Sequence, residues 1–162
     1  MAGARAHLWR RERRLAAAEV RAAGRELWIL HPGGGPMPAG TGPEAVQVLV
    51  LDGSWREASA MGQEVGAWGR PVRLPMTGES RYWLRAQQDG GRFSSVEALM
   101  FLLAALDLAE AHAALRLQFE LHVYASLRAR GSKAAALEFL KTSPIRDAFP
   151  ELLAQMDVRR PR

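Results

Sequence analysis

Along residues 5–25, Ala, Leu and Val fall between arginines at a spacing that predicts an amphipathic helix. Glu26–His31 (ELWILH) then reads as a short apolar strand, followed by a Gly/Pro loop from Pro32 to Pro43. The apolar run Val46–Leu51, closed by Asp52-Gly53, has the pattern of a fully buried strand in a parallel sheet. Ser54 opens the next helix. Ser54 and Glu57 have the spacing of a capping box, and Gly69-Arg70-Pro71 marks the stop after about Trp68.

Pro71–Pro75 (PVRLP) is a short strand at most, and Thr77–Arg92 is a polar loop that turns at Asp89-Gly90-Gly91. A second capping box, Ser94 with Glu97, launches a helix over 96–109 that is apolar nearly all round and is therefore expected to be buried. A further helix spans 113–130 and stops at Gly131. Two short ones cover 133–141 and 145–156, separated by Ser143-Pro144. Strands alternating with helices predict an α/β class with extra helices at the C-terminus.

At 162 residues, with 48% apolar and 24% charged positions, the chain fits one ordinary globular domain and no disordered or fibrous class. Zero cysteines exclude disulfides, thiolate metal sites and a cysteine nucleophile. The longest apolar run, Ala98–Leu106, has nine residues, against the roughly 20 of a membrane span. Arg10, Arg11, Arg13 and Arg14 are followed by no apolar stretch of the kind a signal peptide needs. These features lead us to expect a cytoplasmic protein. The net charge of +5 is uneven: residues 1–25 carry seven Arg against two Glu, the tail 159–162 carries three Arg, and the remainder is net acidic. Such ends are either solvated or touch phosphate.

Asp52-Gly53-Ser54-Trp55 stands where a strand gives way to a helix, the edge at which open α/β sheets bind ligands. Asp52 either shapes the turn or serves as a base. Ser54 either caps the helix or helps present its amides to an anion. Trp55 either packs in the core or stacks on a base. In the following loop Ser80, Tyr82 and Arg85 are candidate ligand contacts, with Arg85 a fork for carboxylate or phosphate. The turn before Ser94 allows close backbone approach to a ligand. No G-x-S-x-G or phosphate-loop motif is present. His7, His31, His112 and His122 lack metal-ligand spacing, so no metal is expected.

LVLDGSWREASAM (Leu49–Met61) resembles the signature block of the DTW-domain family. ESRYWLRAQ (Glu79–Gln87) and FSSVEAL (Phe93–Leu99) resemble its second and third blocks, and LHPGGG (Leu30–Gly35) resembles the strand and loop before the first. The resemblance covers about residues 27–125. It implies a SPOUT-like sheet with helices on both faces, knotted in the C-terminal half. It also implies transfer of the 3-amino-3-carboxypropyl group of S-adenosylmethionine to N3 of a tRNA uridine. On that reading Asp52 is catalytic, while Ser54, Trp55, Ser80, Tyr82, Arg85, Ser94, Ser95 and Glu97 surround the co-substrate and the target base. The base role of Asp52 requires burial to raise its pKa. The implied organisation is a basic helical segment 1–26, a catalytic domain 27–130 and a helical extension 131–162. Knotted relatives are often dimers, and a monomer or a homodimer is expected for this chain. Ser54 and Ser95 stand where the family usually has Thr, and Glu57 where Gln is common. The cysteine cluster of bacterial members is missing. Two other readings are an S-adenosylmethionine-dependent RNA methyltransferase of the knotted class and a catalytically silent RNA-binding module.

Overall fold

The structure is a computed structural model and describes residues 4–10, 12, 14–85 and 93–157. The chain divides into two compact units, Met1–Arg73 and Leu74–Arg162.

The first unit holds α1 (Ala17–Val20), β1 (Glu26–Pro36), β2 (Val46–Leu49), α2 (Trp55–Val65) and β3 (Arg70–Arg73). The strands form one parallel sheet in the order β2-β1-β3, with Trp28 opposite Val48 on one side and Arg70 on the other. The mixed α/β class is thus as the sequence predicts, but the strand roles differ. The centre is β1, where Leu27, Trp28 and Ile29 are each at most 1% exposed. Successive strand side chains point to opposite faces, so both faces of β1 are covered. Leu27 and Ile29 cluster with Val65 of α2, flanked by Trp9, Leu49, Leu51 and Trp68. The Val46 run is an edge strand instead of a fully buried one, and only Val46 of β2 is buried. Gln47 within it acts as a peptide surrogate. Its Nε2 donates to the Val20 carbonyl and its Oε1 accepts from Ala22 N–H, both at 2.6 Å.

The structure departs from two further expectations. Most of the helix over 5–25 is absent: residues 4–10 and 14–16 have no regular structure and only α1 is helical. Arg10 and Arg14 would repel at i,i+4 on a helix. Trp9 instead packs on the sheet cluster, and Arg14 reaches Glu64 at 3.5 Å. The Gly/Pro stretch is no simple loop, because β1 continues through it to Pro36. Its register shifts there, so that Leu30 and Gly35 both pair with Val72. Gly34 allows this, since a Cβ at that position would lie 2.6 Å from the Pro71 carbonyl carbon and the Val72 nitrogen.

The second unit contains α3 (Ser95–Ala105), α4 (Ala109–Ala129), α5 (Lys133–Lys141), α6 (Ile145–Ala148) and α7 (Pro150–Asp157). Its core joins Phe119, Val123, Tyr124 and Leu127 of α4 to Ala136, Phe139, Ile145 and Leu153 of the C-terminal helices. The stretch expected as one helix over 145–156 is two, broken at Phe149-Pro150, because proline disfavours helical backbone in the residue before it. Nor is α3 buried all round. Leu102 and Leu103 are buried, Leu99, Met100 and Phe101 are partly covered, and Val96 is 38% exposed. Its apolar run fixes helix formation but not how many sides find a neighbour. Among the described residues no helix is long and apolar enough to cross a membrane.

Candidate functional site

The candidate residues fall in both units. In the first, the chain leaves β2 at Leu49 and enters α2 at Trp55 through Asp52-Gly53-Ser54. The extended backbone at Ser54 and its side chain close the capping box. Its Oγ donates to Glu57 Oε2 at 2.6 Å, its N–H donates to the same oxygen at 2.8 Å, and Glu57 N–H donates back to Oγ at 3.3 Å. The Ser54 hydroxyl first, and its backbone N–H second, hold the Glu57 carboxyl below its ordinary value. Asp52 is exposed, so the burial invoked for a carboxylate base is not present in the protein alone. Trp55 is 49% exposed, which overturns its reading as a core residue. The first turn of α2 turns this side chain outward while Met61 and Val65 supply the helix's buried positions.

His31, which sequence spacing discounts, lies beside the same turn. Its Nδ1 accepts the Gly33 N–H at 3.0 Å. Its ring packs over α2 at Gly62, where Leu51 also arrives. Its signal in the sequence is its position directly after the apolar stretch of the central strand.

In the second unit, Glu97 of α3 is 3% exposed and joins the starts of the second and third blocks. Ser94 caps the helix, its Oγ and N–H donating to Glu97 Oε2 at 2.9 and 2.7 Å. Ser80 Oγ donates to both Glu97 oxygens at 3.0 Å, and Arg81 N–H donates to Oε1 at 2.6 Å. Ser80 Oγ in turn accepts from Tyr82 N–H at 3.1 Å. Ser80, Ser94 and Glu97 thus form a closed network whose hydrogen-bonding groups point at one another. It fastens the 80–82 segment to the start of α3.

Arg81 anchors this segment, a role that the sequence does not reveal. Its guanidinium donates to Glu120 Oε2 at 3.1 Å, to Thr142 Oγ1 at 2.9 Å and to the Phe139 carbonyl at 3.2 Å. It also lies 4.1 Å over the Phe139 ring. Glu120 is 1% exposed, and Arg116 one helical turn earlier supplies its second cation at 3.1 Å. The i,i+4 spacing of Arg116 and Glu120 is readable from the chain, whereas the pairing with Arg81 is not. With Arg81 fixed, Tyr82 stacks on Phe119 at 6.1 Å and Trp83 meets the edge of Phe139 at 5.3 Å. Arg85 is exposed, its guanidinium 5.2 Å from the Tyr82 ring centre. It forms no ion pair among the described residues. Ser95, at the first position of α3, is partly exposed. The Asp89-Gly90-Gly91 turn lies outside the described residues.

Among the candidate contacts, Arg85 is the one whose chemistry would suit an anionic ligand group. A cation stacked on an aromatic ring and open to solvent is suited to a carboxylate. Glu97 does not offer a comparable contact, since its two oxygens already accept five hydrogen bonds. Among the described residues no group of His, Asp and Glu is clustered as metal ligands.

No curated protein and no solved structure shows significant similarity to the chain. A family match does exist, and it begins further toward the N-terminus than the three blocks alone suggest. The match takes in the segment whose Trp9 packs on the sheet cluster, the Asp52–Trp55 exit and the Glu97 network. The DTW domain matches over residues 4–127, most of the chain, and the protein belongs to the DTW-domain family.

Proposed function

We propose that the protein is a tRNA-uridine aminocarboxypropyltransferase of the cytoplasm that uses S-adenosylmethionine as co-substrate. The family match over residues 4–127 carries this reading. Membership points to tRNA modification, and the SPOUT-like knotted architecture and the particular group transferred are part of the proposal. The co-substrate would supply an electrophilic methylene beside its sulfonium and leave as methylthioadenosine. The chain's residues would do the rest. Asp52 would take the N3 proton of the uridine, with bound RNA providing the burial that the protein alone does not. Arg85 would hold the amino-acid carboxylate and Ser95 would add a hydroxyl. Trp55, half exposed beside Asp52, would stack on the target base, a role for which Tyr82 is less suited because it already stacks on Phe119. Ser54, Ser80, Ser94 and Glu97 would act as positioning residues, since their polar groups hold backbone. The exposed arginines Arg5, Arg10 and Arg14 would contribute phosphate contacts.

The test is mass spectrometry of the small-molecule product after incubation with S-adenosylmethionine and an unmodified tRNA transcript. Methylthioadenosine, with a matching mass gain on uridine, is expected. S-adenosylhomocysteine would mean methyl transfer instead. RNA binding without either product would identify a silent binding module. In the same assay Asp52→Asn is expected to abolish transfer with an unchanged thermal melt, and near-normal turnover would remove Asp52 as the base.

A further inference from the structure

His31 is half-buried within the central strand, directly after Glu26–Leu30, the part that pairs in regular register before the shift, and past the point where β2 stops pairing. Its ring is placed by two independent features. The first is the Gly33 N–H, which can only donate. It points at Nδ1 at 3.0 Å, so the neutral ring carries its proton on Nε2. The second is Gly62. A glycine inside a helix costs about 1 kcal/mol relative to alanine. Here a Cβ would lie 3.2 Å from His31 Cδ2, 3.5 Å from Nε2 and 3.7 Å from Leu51 Cδ1. The missing methyl is the space into which the ring and Leu51 pack together. Leu51 is the residue before Asp52, so the imidazole and the candidate base share one corner of the first unit. Nε2 meets no hydrogen-bond partner among the described residues, and it is not among the buried unpartnered atoms. His31 therefore offers one N–H donor in a set tautomer and a set direction.

We propose that this N–H donates to a carbonyl oxygen of the target pyrimidine, making His31 a second catalytic residue. The proposal rests on the uridine-N3 transfer read above. N3 of uracil lies between two carbonyls. When Asp52 takes the N3 proton, the negative charge spreads onto O2 and O4. A fixed donor to either oxygen stabilises that anion more than the neutral base. The N3 electron pair then forms the new C–N bond, and the pair of the breaking S–C bond stays with sulfur. A neutral imidazole suits this task, because it donates without needing to be charged.

Two substitutions separate donation from loop shape. Asn sets its amide near the position of Nδ1 and can still accept the Gly33 N–H, but it lacks the distal donor. Gln sets its amide near Nε2 and retains one. In single-turnover assays of methylthioadenosine release from S-adenosylmethionine and the tRNA transcript, His31→Asn is expected to slow the step by about 100-fold, the scale of a lost anion-stabilising donor. Its tRNA affinity should stay within about threefold, and His31→Gln should recover at least about tenfold of the rate. A rate for His31→Asn within about threefold of wild type, or no advantage of Gln over Asn, overturns the proposal. Ring-nitrogen NMR of the wild-type protein provides a readout that does not depend on turnover. It should show the Nε2–H tautomer, with the Nε2 resonance moving when transcript and S-adenosylmethionine are added. A ring that does not respond overturns the proposal. If wild type releases no methylthioadenosine while the Nε2 resonance moves, the transfer reading fails and His31 stands as a ligand donor.

Discussion

Replacing Arg81 with Ala should destabilise the second unit far more than an ordinary loop substitution. The side chain is 27% exposed, but its partner Glu120 is only 2% exposed at the side chain. Truncation removes three hydrogen bonds and the stack on Phe139. It leaves Glu120 with Arg116 alone, whose side chain is 47% exposed and better screened. Breaking a buried pair from one side costs about 3–5 kcal/mol, and the remaining arginine moderates this to about 3 kcal/mol. For a chain of this size that corresponds to a fall in melting temperature of roughly 6–12 °C. Thermal and urea unfolding of wild type, Arg81→Ala, Arg81→Met, Glu120→Leu and the double variant Arg81→Met with Glu120→Leu would measure it. The double variant should lose less than the sum of the singles, because it leaves no stranded buried charge. A loss below about 1 kcal/mol for Arg81→Ala, or strict additivity in the cycle, would refute the assignment of Arg81 as the anchor of the 80–85 segment.

Two smaller perturbations test the first unit. Ser54→Ala removes the larger of the two causes that depress the Glu57 carboxyl, so NMR titration should find that carboxyl moved back toward its ordinary value of 4.5. The sign follows from the depression. In wild type this contribution to stability is present above the unfolded value and is lost as pH falls through the lower folded value, so the gap between Ser54→Ala and wild type should narrow on acidification below about pH 4.3. Gly34→Ala forces a methyl onto the backbone of β3 and should cost about 1–3 kcal/mol by chemical denaturation, whereas an unchanged midpoint would mean that β1 and β3 can separate there without loss.

Local chemistry was legible in the sequence, and non-local pairing was not. Both capping boxes form at the residues that spell them, because a cap is decided within four positions. The parallel class was legible too, from two apolar stretches and a helix between them and the third strand. Which stretch lies at the centre depends on partners far along the chain. ELWI takes that place, and the Val46 run takes the edge with Gln47 turned to Val20 and Ala22. The Gly/Pro stretch reads as a loop by composition, yet Gly34 is the residue that lets it lie against β3. The arginine-rich segment reads as a helix by spacing, but Trp9 packs against the sheet cluster, a partner distant in sequence. Arg81 illustrates the same limit at the candidate site. Its residue type marked the loop as polar, while its role depends on Glu120 and Thr142, which are distant in sequence.

What sequence could not separate is which polar side chains hold the fold and which face a ligand. Ser54, Ser80, Ser94 and Glu97 all look like site residues by type and motif. Ser80, Ser94 and Glu97 have their donors and acceptors turned on backbone or on one another, and Ser54 has its own turned on Glu57. A carboxylate with 3% exposure and four donors around it is stable because those donors replace its lost water, and it has little capacity left for a ligand. Asp52, Trp55 and Arg85 differ in that their side chains are exposed or half exposed at the surface. Both kinds of residue would be needed by a transfer reaction. A group that must meet a substrate within a fraction of an ångström needs a neighbour whose own polar atoms are already committed. The two capping boxes supply that neighbour for the Asp52–Trp55 turn and for the segment that carries Arg85. Replacing Glu97 should therefore disturb orientation before it disturbs binding chemistry, whereas replacing Asp52 should do the reverse.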